Sequence, residues 1–443
     1  MSESKATTSL VPSFDDFKRD LPDECAQSNV SDALLYALSC SAAKQNGQSV
    51  PTPEEFFSSG RTDSIPHKAD KVDKVDEFPS LADIKKTLPQ ECFQSNVGTS
   101  LLYALRTVML SLGLGCALYA TREYNVAKNL VWIFGGGYVQ GDFVANMVDY
   151  VFALCYILLQ GTVMWGAFTI GHDCGHGSFS RYPLVNWLVG NVCHSIILTP
   201  YESWRMSHRS HHKNTGNMDK DEIFYPNSQT HHKLFTRSLG GVWFGYLLFS
   251  NTPGRRNYLA YFNSEFARQR IAILASFATI GLVFRVIYIA VQTFGWAVVG
   301  LYYGAPVFVF ASWLVVVTFL HHNDEDTPWY RDSAWDYVKG NLSSVDRDYG
   351  AFVNNISHNI HLHQIHHLFP IIPHYCLPMA TNAFKTAFPQ LYRVRSGSII
   401  AAFIRAMKDW IVYGSYADDA TCGDVFQYST VKLRSAQPHQ KSD

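Results

Sequence analysis

The segment Val148–His176, VDYVFALCYILLQGTVMWGAFTIGHDCGH, runs from a long apolar stretch straight into a pair of histidines. Its apolar part, Val148–Ile170, is long enough to cross a bilayer, whose hydrocarbon core takes roughly 20 residues of apolar helix. His172 and His176 follow at once, four residues apart. On a helix that spacing puts both imidazoles on one face. The segment therefore reads as a membrane span that delivers metal-binding side chains to one edge of the bilayer.

Three further stretches match it: Val97–Ala120, which tolerates Arg106 near its start, Ile271–Val291 and Trp296–Leu320. The last two are split only by QTFG, enough for a tight helical hairpin. Pro183–Pro200 is apolar but short and bounded by prolines, so it reads as interfacial or re-entrant rather than spanning. Composition agrees with a membrane protein: 47% hydrophobic, 14% aromatic and only 16% charged. A net charge of -1 gives no general attraction to nucleic acid.

Two hairpins return the chain to its starting side, which places the N-terminus, the 171–270 region and everything after Leu320 together. The loop carrying Lys233, Arg237, Arg255, Arg256, Arg268 and Arg270 against Glu265 alone marks that side as cytosolic. The first fifteen residues are polar, with no signal-peptide core, and the nine cysteines contain no CxxC pair, so a reducing compartment is expected. The fold class expected is an all-α integral membrane protein: four transmembrane helices in two hairpins, with a cytosolic helical cap.

The N-terminus repeats itself. PSFDDFKRDLPDECAQSNVSDALLYAL from Pro12 returns as PSLADIKKTLPQECFQSNVGTSLLYAL from Pro79, 67 residues on. In each copy a serine followed three residues later by aspartate (Ser13 and Asp16; Ser80 and Asp83) reads as a capping box opening a short helix that Pro22 or Pro89 ends. Only the second copy enters a span. Residues 1–75 are thus read as a dispensable, disordered tail, 76–420 as the membrane domain and 421–443 as a C-terminal tail.

The remaining histidines cluster. HRSHH sets His208, His211 and His212 at i, i+3 and i+4, and HQIHH repeats the pattern at His363, His366 and His367; His321 and His322 close the fourth span. Such offsets bring side chains onto one helix face, so each cluster can hold a metal, and all lie on one side of the membrane. Eight or nine imidazoles exceed the four ligands of a tetrahedral zinc, which implies two metals; imidazole suits iron, zinc and copper alike. Glu-x-x-His, the signature of a ferritin-like di-iron bundle, is missing from these clusters.

GHDCGHGSF (171–179), HRSHHKNTGN (208–217), TFLHHNDEDTPWY (318–330) and HQIHHLFPIIPHY (363–375) closely resemble the histidine boxes of the membrane-bound fatty acid desaturases, methyl-end branch. The resemblance runs from about Pro79 to about Gly414. HDCGHGSFS, PYESWRMSHR and VKGNLSSVDR look most like omega-3 enzymes acting on omega-6 polyunsaturated chains of the linoleate or arachidonate class, although some delta-12 enzymes share the aspartate form of the first box.

This resemblance implies a non-haem di-iron enzyme of the endoplasmic reticulum, with iron ligands His172, His176, His208, His211, His212, His363, His366 and His367, and His322 as the ninth. His358 and Asp173 are expected to support the ligands from behind. His361, two residues before His363, points to another helix face and is read as non-ligating; His194 and His374 are read as structural. Dioxygen activation needs two external electrons. The sequence shows no haem-binding HPGG, no GxGxxG after a strand and no ferredoxin cysteine run, and GGGYVQG at Gly135 lacks the Lys-Ser/Thr of a phosphate loop. The expected donor is therefore a separate protein, cytochrome b5 with its reductase, and the expected substrate an acyl lipid or acyl-CoA. An acyl hydroxylase or acetylenase would share every ligand. A histidine-rich metal transporter would instead set ionisable groups at the bilayer midplane.

Overall fold

The computed structural model describes residues 78–134, 141–221, 269–324, 327–413 and 425–426. The first repeat copy, the 1–75 tail, the glycine-rich connection from Gly135, the basic loop residues Lys233 to Arg268 and most of the 421–443 tail lie outside the described residues.

The second repeat copy starts the ordered chain. Ser80 caps helix α1 (Leu81–Thr87): its Oγ accepts the Asp83 N–H at 3.2 Å and donates to the Asp83 carboxylate at 2.7 Å. Pro89 ends the helix as read. Ile84, Leu88 and Cys92 are buried in a small core with Ile365, Leu368, Ile372 and Phe384, so this copy braces the segment that carries the last histidine cluster. Asn96 then caps α2 (Val97–Glu123), accepting the Thr99 N–H at 3.0 Å. Arg106 is tolerated in α2 because it donates to the Asn355 carbonyl at 2.7 Å.

Among the described residues four helices are long and apolar enough to cross a membrane: α2, α4 (Gly141–His176), α7 (Arg270–Phe294) and α8 (Trp296–His322); between the first two runs α3 (Val126–Phe134). They divide into two kinds. The apolar windows of α4 and α8 are 61% and 50% buried, whereas those of α2 and α7 are 11% and 17% buried. The inner helices thus pack on each other, and the outer ones show Leu102, Leu105, Met109, Leu282 and Val286 outward, where lipid is the fitting neighbour.

Two boundaries differ from the sequence reading. α4 does not end at Ile170; with no breaker before Gly177, whose φ is +77°, it continues through both histidines of the first box. QTFG is not a four-residue turn, because α7 includes Gln292, Thr293 and Phe294, and Gly295 alone, at φ +82°, separates it from α8. Within α8 a π-turn at Gly300–Gly304 frees the Tyr302 carbonyl to accept the Tyr156 hydroxyl at 2.9 Å.

Pro183–Pro200 does not span. It forms α5 (Pro183–Ser195), only 13 residues, with Leu184, Leu188, Val192 and Ile196 exposed along one stripe and Asn186, Asn191 and His194 buried on the other. α6 (Tyr201–Asn214) follows and carries the second box. Beyond α8 come short helices α9 (Tyr337–Asn341), α10 (Ala351–Ile356), α11 (His363–Leu368), α12 (Leu377–Ala387) and α13 (Ile399–Tyr413). Strand β1 (Trp329–Tyr330) pairs antiparallel with β4 (Val425–Phe426), and β2 (Asp346–Arg347) parallel with β3 (Val394–Arg395). The main core, with Trp165, Phe168, Tyr201, Trp204 and Phe310, lies where α4, α6 and α8 meet, beneath the histidines.

Candidate metal centre

Helix periodicity decides where each imidazole goes. Adjacent residues on an α-helix project ~100° apart while i and i+4 nearly align. On α6, His208 and His212 therefore point one way and His211 another; on α11, His363 and His367 share a direction and His366 departs from it. The structure brings the histidines into two groups accordingly. His172, His176, His208, His212 and His366 form one, and His211, His322 and His367 the other, with the potential ligand atoms in each lying within 4.8 Å of one another. His363 adjoins the second group, its Nε2 lying 3.0 Å from His322 Nε2 and 2.9 Å from His367 Nε2. Each HxxHH box thus feeds both groups. The sequence reading names these residues as one ligand set for two metals without dividing them; the structure sorts them into two groups built across clusters.

The nitrogen geometry of the second group fits a cation. His211 Nδ1–H donates to the Asp221 carboxylate at 3.0 and 3.1 Å, leaving Nε2 as a lone pair 3.3 Å from His322 Nε2. Thr215 Oγ1 donates to the His211 carbonyl at 2.8 Å and so accepts from His367 Nδ1–H at 3.1 Å, with Asn341 Oδ1 at 3.2 Å as a further acceptor. His367 Nε2 is therefore also a lone pair. Along the line His211–His322–His363–His367 no placement of protons on the two middle rings avoids either two facing N–H groups or two facing lone pairs. A positive ion among the four nitrogens satisfies all of them. In the first group, His176 Nε2 and His366 Nε2 are buried with no hydrogen-bond partner, which again suits a Lewis acid. Both donor sets are imidazole only, a composition suited to iron, zinc or copper.

Electrostatics keep the rings in the form a metal requires. Burial first, and then neighbouring imidazoles, pushes His208, His212, His363, His366 and His367 well below the ordinary imidazole value. They are neutral near pH 7 and need lose no proton to bind. Asp346 accepts the His363 and Gln364 N–H groups at 2.6 and 2.9 Å, and fixes the start of α11, although burial lifts its carboxyl to about 7.

The comparisons with known proteins agree. A sequence model described as fatty acid desaturase matches residues 150–397. The chain belongs to the fatty acid desaturase family. The desaturase is 36% identical over 343 residues to the sn-1 acyl-lipid omega-3 desaturase (ferredoxin) of Synechocystis sp., covering 75% of this chain and 88% of that one. It is 35% identical over 379 residues to the acyl-lipid omega-3 desaturase (cytochrome b5), endoplasmic reticulum, of Arabidopsis thaliana, covering 82% and 91%. To the chloroplastic omega-3 fatty acid desaturase of Ricinus communis it is 33% identical over 450 residues, covering 93% and 89%. It is accordingly an oxidoreductase, a membrane desaturase of fatty acyl chains whose relatives are named omega-3 enzymes.

Other residues of the desaturase take places that spacing alone did not assign. His361 lies in neither group. His358, at φ +54°, bonds through Nε2 to Thr107 Oγ1 at 3.1 Å and packs on the His374 ring. Asp173 does stand beside His172, with its Oδ1 3.6 Å from His172 Nδ1, but its hydrogen bonds come from His374. His194 packs so tightly on α4 that a Cβ at Gly171 would overlap its ring; burial drops it to about 3, so it stays neutral. His321 stacks its ring on His363, with centroids 4.3 Å apart, but its nitrogens are engaged elsewhere, with the Val345 carbonyl and, at 3.3 Å, the Tyr349 hydroxyl. Asp221, Thr215 and Asn341 were missed. No spacing rule ties them to the boxes; only Asp221, ten residues after His211 in an acidic run, was a hint.

Proposed function

We propose that the desaturase binds two iron ions, one in each histidine group, and inserts a cis double bond three carbons from the methyl end of omega-6 polyunsaturated acyl chains of the linoleate or arachidonate class. The ligands are His172, His176, His208, His212 and His366 for one ion and His211, His322, His363 and His367 for the other. The observation that carries the metal reading is the division of both HxxHH boxes between two imidazole-only groups. Omega-3 regiochemistry is supported by the names of relatives that align over most of the chain.

The chemistry explains the need for metal. A methylene C–H is too weak an acid for any side chain to deprotonate, so bound iron with dioxygen and two electrons supplies the oxidising power. The chain's own work is to hold neutral imidazoles in place, to bury them, and to position the acyl chain. Buried Trp165, Phe168 and Phe310 beneath the first group supply apolar walls.

The proposed site is the endoplasmic reticulum membrane with the histidines facing the cytosol, and the proposed donor is cytochrome b5 with its reductase acting on acyl-lipid substrates. The Arabidopsis relative carries that donor and location in its name, while the Synechocystis relative's name carries ferredoxin. Feeding single fatty acids to expressing cells, with mass spectrometry of double-bond positions, tests the regiochemistry. Omega-3 products from linoleate or arachidonate are expected; oleate converted to linoleate with no omega-3 product would assign delta-12 chemistry instead. Reconstitution with cytochrome b5 or ferredoxin separates the donors.

A further inference from the structure

We infer that His374 is a positioning residue for the five-histidine group, holding Asp173 so that the first and third boxes meet at the right separation. The inference rests on the metal reading proposed above. Asp173 follows His172 on α4, and His374 lies beyond α11, which carries His366. Both residues are buried, at 3% and 1% exposure. One carboxylate oxygen, Asp173 Oδ2, accepts two bonds from His374: the backbone N–H at 3.1 Å and the ring Nδ1–H at 2.8 Å. A purely structural tie could use either one. Two donors from the same residue fix the rotation of the carboxylate, and that leaves Oδ1 toward His172 Nδ1, 3.6 Å away, a nitrogen with no hydrogen-bond partner.

Two consequences follow for the group. The carboxylate favours the His172 tautomer with its proton on Nδ1, so that the other ring nitrogen keeps a lone pair for a metal; carboxylates commonly orient ligating histidines in this way. The same two bonds also staple the segment following α11 to α4. His366 and His172 belong to one group, with ring centroids 4.5 Å apart, and this link bears on their separation. His374 is itself seated by an edge-on contact with Tyr103 of α2 at 4.6 Å and by the His358 ring at 4.8 Å. The second group is held differently: Asp221 bonds the His211 ring directly, and Thr215 and Asn341 bond the His367 ring.

The experiment measures iron per folded protein and the rate at which each equivalent is lost to a chelator, in purified wild type, His374→Leu, His374→Asn and Asp173→Asn. Asparagine keeps an N–H close to the Nδ1 position; leucine does not. The expected result for His374→Leu is one iron equivalent lost about 10 to 100 times faster and the other at the wild-type rate. His374→Asn should stay within about threefold of wild type, and Asp173→Asn should lie between the two. Wild-type loss rates in His374→Leu, or equal acceleration of both equivalents, would overturn the inference while leaving the metal reading intact. Should the leucine variant fail to fold, an Asp173→Asn protein that keeps both equivalents at the wild-type rate overturns it equally. A wild type that binds no metal would sink the metal reading itself.

Discussion

On the side of His211 and His367 the outer ring nitrogens are already held: Asp221 takes one, and Thr215 and Asn341 take the other. On the side of His172, His176, His208, His212 and His366 the outer contacts are sparse. His172 Nδ1 and His212 Nδ1 are buried without a partner, and His176 and His208 are only partly buried. Two rings of the second group, His211 and His367, are thus oriented by protein contacts, although His363 Nδ1 is buried without one, whereas the first group relies more on a metal to fix its rings. The difference should appear in how firmly each holds its ion and in which substitutions matter at each.

The largest effects come from removing a ligand. His211→Ala is expected to empty the pre-oriented group and His366→Ala or His176→Ala the looser one; each should reduce desaturation to background without preventing membrane insertion. Metal analysis should find about one ion left in each variant, following the ligand count. If His211→Ala and His366→Ala removed the same ion, the division of the boxes would be wrong.

Asp221→Asn probes the orientation directly. The amide can accept from His211 Nδ1–H but carries no charge, so affinity at the second group should fall about 10- to 100-fold, with the first group unaffected. Chelator titration of the variant measures it. Equal weakening at both groups would show that Asp221 supports the fold and not the ring.

The comparison also has a pH signature in the metal-stripped protein. His208, His212, His363, His366 and His367 have folded values below the ordinary 6.5, because burial disfavours their charged form. The unfolded chain therefore binds more protons below that pH. Stability is fully present above about 6.5 and falls as the medium is acidified, by up to about 1.4 kcal/mol per pH unit for each such group. Thermal unfolding of apoprotein between pH 8 and 5 should show the decline, and bound metal should reduce it. A stability that rose on acidification would contradict the neutral, buried state of these rings.

Much of this was legible because it rests on short-range rules. Apolar runs of bilayer length marked four helices, and i, i+3, i+4 spacing put the histidines on helix faces. The sorting of His211 away from His212, and of His366 away from His367, was not legible, since it depends on where α6 and α11 sit relative to α4 and α8. Long-range partners were equally hidden: His374 reaches Asp173 across 201 positions, and Asn341 reaches His367 from another helix. That the apolar span and the helical histidines after it form one unbroken helix was not read, for a simpler reason. Apolar character stops at Ile170, but helix does not stop until a residue breaks it, and here that residue is Gly177.

The smallest effect sharpens the assignment by contrast. His361 sits two residues before His363 and looks in sequence like one more member of the third box. It belongs to neither group, its backbone carbonyl accepts the Arg347 N–H at 3.2 Å, and its ring nitrogen Nδ1 has no partner. Burial lowers the ring to about 4, against a smaller opposing pull from Asp348, so it carries no charge at neutral pH. His361→Ala keeps the backbone bond and removes only a half-buried ring. Activity and iron content should stay within about twofold of wild type, in keeping with substitutions that break no buried network. Iron loss from His361→Ala matching that of His363→Ala would mean that the third box is read in the wrong register and that His361 holds the metal in place of His363.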